Sequence, residues 1–216
     1  MEFSVKSALR FGWETFMKRP WFFVLATLIV AIAHILVNAL TGASDTLLTG
    51  SAEDPSIVGV LLSIGLGTLI NMGAVAFYLS AHGNPDTVEL SALWHPHPFW
   101  KYLGASILAW LAFALGLVLL IVPGIIFGLM FMFATILVID RELGPIEAMR
   151  ESNRVTRGHK WTLLGLVLVL ALVNLLGALA LFVGLLVSVP VTMLALMHVY
   201  RILAGGAGLA DASLAA

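Results

Sequence analysis

Four long stretches without a charged residue dominate the pattern of hydrophobic and polar positions along this chain. They cover residues 20–44, 55–85, 102–139 and 161–200. One bilayer crossing takes about 20 apolar residues, each contributing about 1.5 Å of helical rise. The first two stretches therefore predict one span each. The last two would reach about 57 and 60 Å as straight helices, so each predicts a hairpin of two spans.

The sequence LLIVPGIIFG at 119–128 places the turn of the first long hairpin at Pro123 and Gly124. Proline disfavours helix at the residue before it and can open the next helix, while glycine permits the turn. From Gly124 to Ile139 the return span would measure only about 24 Å. We therefore expect this turn to lie below the membrane surface rather than in water.

The positions of the cations support six spans. With that topology, all 11 Lys and Arg residues fall on one side, in the N-terminus, segments 81–101 and 140–160, and the C-terminus. The 41–56 connection on the other side contains acidic residues and no cation. Because cytoplasmic loops carry the excess of Lys and Arg, we predict a multi-pass protein of the bacterial inner membrane with both termini in the cytoplasm.

Composition agrees with an all-α membrane domain. The chain is 61% hydrophobic and 11% charged, with a mean hydropathy of +1.05, whereas soluble domains carry roughly 25% charged residues. It contains no cysteine, and its net charge of −1 gives no reason to expect a nucleic-acid partner. The sequence holds no HExxH, GxSxG or P-loop motif. We therefore expect neither a catalytic site nor a cofactor.

Two amphipathic segments precede spans, at 4–19 and 144–160. We predict that each forms a helix lying in the inner membrane interface; the alternative is an ordinary amphipathic helix packed on the bundle. The two segments align without gaps, Ala8 with Ala148 and Trp21 with Trp161, and a shorter copy lies at 91–101. This predicts one membrane domain, 1–204, with a possible threefold repeat. Tryptophans and cations beside spans recur in any membrane protein, however, which is the simpler explanation.

The repeat would divide the domain into 1–80, 81–140 and 141–204, and we expect residues 205–216 to form a flexible tail. Close helix packing, within the bundle or between subunits, is expected at the glycines of the spans. These are Gly65, Gly67, Gly73, Gly124 and Gly128.

Four segments together resemble the YciC-like proteins, bacterial membrane proteins of unknown function related to the membrane domain ahead of some glycerophosphodiester phosphodiesterases. They are ALRFGWETFMKRPW at 8–21, LLIVPGII at 119–126, GPIEAMRESNRVTRGHKW at 144–161 and VGLLVSVPVTMLALMHVY at 183–200. The resemblance implies a six-helix membrane domain without established catalysis. Because no soluble domain accompanies it in this sequence, we do not expect phosphodiesterase activity.

A few polar side chains interrupt the predicted spans: His34, Asn38, Asn71, Asn174 and His198. Polar groups within spans often mark a ligand site or a proton relay. The alternative is hydrogen bonding between helices, typically worth about 0.6 kcal/mol. His34 and Asn174 each lie 13 residues past a tryptophan, so we expect them to reach the same depth.

Cations beside the spans are candidate contacts for anionic lipid headgroups, worth about 1 kcal/mol each, although salt bridges with nearby carboxylates are the alternative. The candidates are Arg10, Lys18, Arg19, Arg150, Arg154, Arg157 and Lys160. The candidate ligands for a metal are His95 and His97, with His82 or His159 as a third. A metal needs three or four ligands, and we expect none to bind.

These features favour a structural, lipid-interacting or partner-binding membrane domain rather than an enzyme. Its expected partners are membrane lipids, further copies of the chain or another membrane protein. The alternative is a small transporter or channel whose site lies at helices interrupted by proline or glycine. A third interpretation, an enzyme acting on lipid headgroups, would need clustered polar residues in segments 81–101 and 140–160.

Overall fold

Six helices of the described chain are long and apolar enough to cross a membrane. The computed structural model describes residues 4–51, 54–95, 97–180 and 182–214, with side chains to residue 205, and contains no strand in those ranges. The spans are α2 (Pro20–Thr49), α3 (Ile57–Gly83), α4 (Phe99–Leu119), the pair α5 (Ile121–Phe131) and α6 (Ala134–Arg141), α8 (Lys160–Leu179) and α9 (Leu185–Leu214). The predicted six-span, all-α architecture of a multi-pass membrane protein is confirmed.

Three shorter elements precede the spans. They are α1 (Val5–Lys18), a 3-10 turn (Leu90–Leu93) and α7 (Pro145–Thr156). Pro145 opens α7 as its first residue, where a missing N–H costs nothing. At the C-terminus α9 continues as helix to Leu214, while residues 215 and 216 lie outside the described residues. Flexibility of the tail stays a prediction.

Polar contacts join the ends of several spans at one face of the bundle, where the short elements connect to the spans. This face is called here the N-terminal face. The Arg19 guanidinium donates hydrogen bonds to backbone carbonyls of the connection after α3, including Val88 at 3.0 Å. Lys101, near the start of α4, donates to the Glu142 carbonyl at 2.7 Å. Arg141 at the end of α6 donates to the Ala204 carbonyl at 3.2 Å.

The connection between α2 and α3 lies at the opposite face. Residues 41–49, predicted as part of a loop, instead extend α2 to Thr49. The Asp45 carboxylate accepts hydrogen bonds from the backbone N–H and the hydroxyl of Ser56. The Ser56 hydroxyl in turn accepts the Gly59 N–H and caps α3. The acidic side chain predicted for this loop therefore orders the start of the second span.

The second span of each pair lies closer to the core than the first. In α2, α4 and α8, 17% of the residues in the most apolar stretch are buried, against 28% in α3, 39% in α5–α6 and 50% in α9. The largest fully buried side chains include Phe77 on α3 and Tyr200 on α9. The first spans therefore shield the second spans from the surroundings.

The turn between α4 and α5 falls at Leu120, whose backbone is extended (φ −173°, ψ 157°), so the predicted position is three residues too late. Pro123 lies in the first turn of α5, where backbone N–H groups lack a helical acceptor in any case. Gly124 packs so closely on Gly116 that a Cβ at 116 would lie 2.7 Å from the Gly124 Cα. Gly116 and Gly124 therefore permit the close packing of α4 on α5, whereas the turn itself lies at Leu120.

The short elements before the spans pack one face into the bundle. Gly12 of α1 lies against α9, where a Cβ would collide with the Val191 carbonyl oxygen. A Cβ on Gly73 of α3 would likewise collide with the Leu93 carbonyl oxygen at the end of the 3-10 turn. Val191 and Gly73 are about 21 and 15 Å of helical rise from Gly205 and Gly83, respectively. These elements therefore penetrate between the spans, as expected for amphipathic helices packed on the bundle. Trp13 on the other face of α1 stays half-exposed.

Gly12→Leu should lower the free energy of unfolding by about 1–3 kcal/mol, because any side chain at 12 forces α1 away from α9. Thermal unfolding in detergent measures this change. The matched control is Gly165→Leu on α8, where a Cβ meets nothing within 4 Å. If the two variants unfold at the same temperature, the α1–α9 contact contributes no stability.

Candidate functional site

A break divides the fourth span between Phe131 and Ala134. The fully buried Ser152 of α7 fills this break: its hydroxyl accepts the Phe133 N–H at 3.2 Å and donates to the Met130 carbonyl at 2.7 Å. Backbone polar groups in an apolar interior need such a partner, because no water replaces it. Neither proline nor glycine marks the break, so no sequence pattern predicts it.

The predicted intramembrane polar residues are distributed over separate places. Asn174 of α8 donates to the Thr192 hydroxyl of α9 at 3.1 Å, which is the helix–helix hydrogen bond of the alternative interpretation. His34 is half-buried, and Asn38 and Asn71 are exposed. Within the described ranges, the side chains of these three residues have no hydrogen-bond partner, and no hydrogen bond joins His34 to Asn174.

A histidine pair links α3 to α9 beneath α1. His82 Nε2 and His198 Nδ1 lie 3.2 Å apart, so one ring donates a hydrogen bond to the other. The Phe11 ring stacks on His198 with centroids 4.0 Å apart and covers His82 at 4.8 Å. The partners are separated by more than 100 residues of sequence, and spacing gave no indication of this pairing.

His82 thus contacts His198, while the His159 ring contacts the Arg157 carbonyl at 3.2 Å. His95 and His97 lie in the connection before α4. Among the residues that the structure describes, no group of three His, Cys, Asp or Glu side chains is placed to hold a metal ion.

An ionic network joins α6, α7 and α9 at the N-terminal face. Asp140 accepts a hydrogen bond from the Tyr200 hydroxyl and forms an ion pair with Arg201 at 3.0 Å. Glu151 of α7 pairs with Arg141 at 3.0 Å and with Arg154 at 2.7 Å. These carboxylates are committed to cations, so this cluster connects helices and offers no free acid–base pair.

The seven cations predicted to contact lipid fall into two groups. Arg10 pairs with Glu14 at 2.7 Å, and Arg154 pairs with Glu151. Arg19 is held by the carbonyls after α3 and lies 3.9 Å from the centre of the Phe22 ring. The other four have no ion-pair or hydrogen-bond partner for their side chains in the described part of the chain: Lys18, Arg150, Arg157 and Lys160.

An apolar groove of about 330 Å³ lies between α5 and α8, and Lys160, one of these four cations, is among its lining residues. Val122, Ile125 and Leu129 contribute its wall on α5, and Lys160 and Trp161 begin its wall on α8. Trp161 is 86% exposed, a position typical of tryptophan at a membrane–water interface. No side chain caps the start of α8, so the first N–H groups of this helix have no side-chain acceptor from the capping residue.

The fold and these sites define a multi-pass membrane protein without a recognisable catalytic centre among the described residues. The chain belongs to the family named Domain of unknown function (DUF7847), whose model matches residues 14–210. It is 27% identical to the uncharacterized protein Rv2560 of Mycobacterium tuberculosis and to the uncharacterized protein Mb2590 of Mycobacterium bovis, over 94% of this chain and 70% of each relative. No solved structure matches. Kinship with the YciC-like proteins stays a prediction.

Ser152→Ala should destabilise the protein by about 1–3 kcal/mol, because it leaves the Phe133 amide and the Met130 carbonyl without a partner in the core. Thermal unfolding in detergent and faster amide exchange at Phe133 report this loss. Ser7→Ala on exposed α1, where the hydroxyl bonds only the Ser4 carbonyl, is the control. Equal stability of the two variants would show that the break needs no partner.

Proposed function

We propose that the protein is a non-catalytic membrane domain of the bacterial inner membrane that binds an anionic phospholipid between α5 and α8. The observation that supports this most strongly is that Lys160, whose ammonium has no internal partner in the described chain, lines an apolar groove. An acyl chain fits the apolar walls, and a phosphate complements the cation. The bacterial relatives are consistent with an inner-membrane location.

The charge around the groove favours a phosphate over a neutral headgroup. Arg157 lies three residues before Lys160 and also lacks an internal partner in the described chain. The N-terminus of α8 carries the positive end of a helix dipole, which favours an anion. Two juxtamembrane cations at about 1 kcal/mol each correspond to roughly thirtyfold in affinity.

The domain is, in this proposal, built from three copies of one unit: a pre-span segment, a first span and a second span. The alignment that pairs Ala8 with Ala148 also pairs Gly12 with Ser152, and each of these two packs on a second span of another pair. Leu115-Gly116 and Val122 recur 61 residues later as Leu176-Gly177 and Val183. The same offset pairs Met130 with Val191, and the carbonyl groups of these two residues are the ones contacted. Leu93 on Gly73 provides the third contact of this kind.

A small transporter is the second candidate, because two core spans carry interruptions. The fourth span breaks before Ala134, and Pro190 lies inside α9. Proline removes a backbone donor, so the Leu186 carbonyl loses its usual helical partner. Ser188 nearby has a buried hydroxyl without a hydrogen-bond partner among the described residues. Interrupted helices of this kind form substrate sites in transporters.

Replacing Arg157 and Lys160 together by Gln should weaken binding of phosphatidylglycerol by about thirtyfold, because both charges next to the groove are lost. Native mass spectrometry of the purified protein, titrated with phosphatidylglycerol and separately with phosphatidylcholine, measures this loss.

The control replaces Lys6 and Arg10 by Gln, which removes the same charge from the exposed face of α1. Phosphatidylcholine binding should not change in either variant. If both double variants lose phosphatidylglycerol equally, the attraction is a general property of the cationic face and the groove is not a lipid site.

The proposed orientation puts residue 54 outside the cell and residue 87 in the cytoplasm. Both side chains are exposed, and the chain has no natural cysteine, so Asp54→Cys and Thr87→Cys each introduce a single thiol. In intact spheroplasts, an impermeant maleimide should label only Asp54→Cys, and lysis should expose Thr87→Cys. Labelling of Thr87→Cys before lysis would reverse the topology.

A further inference from the structure

A groove of about 300 Å³ with a mixed polar and apolar lining opens sideways between α3 and α4. Four uncharged polar side chains line it, namely Ser63, Thr68, Asn71 and Ser106. Asn71 lies about 21 Å of helical rise from the start of α3 and about 18 Å from its end. The groove therefore reaches the middle of the span, where lipid chains offer no hydrogen-bonding group.

Polar side chains in this groove lack hydrogen-bond partners within the described ranges, and two of them carry the argument. Thr68 is 9% exposed, and its hydroxyl has no hydrogen bond within the described ranges. The exposed Asn71 carboxamide, with two donors and an acceptor oxygen, also has none. Leaving such groups against hydrocarbon costs several kcal/mol each. The groove is therefore incomplete in the single chain and calls for a polar occupant.

Gly67 in the groove indicates that the occupant is another helix, whose backbone approaches α3 closely. A Cβ on Gly67 would meet nothing within 4 Å, so no contact within the described chain requires glycine there. Glycine inside a helix costs about 1 kcal/mol relative to alanine. Ser63, Gly67 and Asn71 follow one another at intervals of four residues on one helix face. Small residues at this spacing allow two membrane helices to approach closely.

We propose that α3 of a second copy of this chain occupies the groove, in a dimer whose twofold axis is perpendicular to the membrane. Such an axis keeps every residue at its own depth, so Asn71 meets Asn71 and Gly67 meets Gly67. A carboxamide both donates and accepts hydrogen bonds, so two copies satisfy each other. The groove carries no charge that would be repeated across the axis.

Single-cysteine cross-linking in native membranes tests this arrangement, because the chain has no natural thiol. On mild oxidation, Ser63→Cys and Asn71→Cys should give a disulfide-linked dimer on a non-reducing gel. The control is Leu168→Cys, which is 61% exposed on α8, away from the proposed axis. Ser63→Cys keeps both Asn71 and Gly67 and so reports the native interface.

A second measurement removes the interface itself. Gly67→Leu and Asn71→Leu should each lower the dimer fraction at least tenfold in single-molecule photobleaching of protein diluted in lipid bilayers, with the melting temperature of the monomer maintained. The proposal is overturned if Ser63→Cys and Asn71→Cys give no dimer, if Leu168→Cys cross-links equally, or if the cross-links join this chain only to another protein.

Discussion

The need to satisfy backbone amide and carbonyl groups in an apolar interior is the constraint on which this structure depends. A membrane helix normally meets it alone, but the fourth span is broken and cannot. Ser152 supplies both the donor and the acceptor that the break lacks. Arg19, also outside the spans, donates hydrogen bonds to carbonyls of the connection after α3. Elements outside the spans therefore complete the hydrogen bonding of the core.

This constraint explains why the pre-span elements penetrate the bundle. A close approach to a backbone carbonyl needs a residue with little or no side chain, or with a short hydroxyl. Gly12 and Ser152 meet this need at aligned positions of α1 and α7. The faces left outside carry half-exposed tryptophan and free cations, which suit a lipid interface. Packing thus uses one face of these short helices, and the proposed lipid contact involves the opposite face.

The division of the cations follows from the same geometry. Those near carboxylates or backbone carbonyls, such as Arg154 and Arg19, stabilise the fold and have little left to offer a ligand. Lys160 lies at the start of α8 beside an apolar groove, without an internal partner in the described chain. The proposed lipid site therefore depends on the position of Lys160 beside the groove rather than on the total number of cations.

Much of the architecture could be predicted because it depends on local sequence patterns. The charge-free stretches predicted the six spans, and Pro123-Gly124 located the α4–α5 turn to within three residues. The break before Ala134 could not be predicted, because its partner Ser152 is supplied by tertiary packing. The His82–His198 pair is equally non-local. Residue type alone did not distinguish Arg154, whose guanidinium forms an ion pair, from Lys160, whose ammonium has no partner in the described chain.

The most direct test of this account asks whether α1 packs inside the bundle in a native membrane. Phe11 and His198 stack at 4.0 Å between ring centroids, so the double variant Phe11→Cys/His198→Cys should form an intramolecular disulfide on mild oxidation. The fraction of disulfide should be high, whereas Lys6→Cys/His198→Cys should give little. Equal, low cross-linking of both pairs would place α1 on the membrane surface and contradict the account.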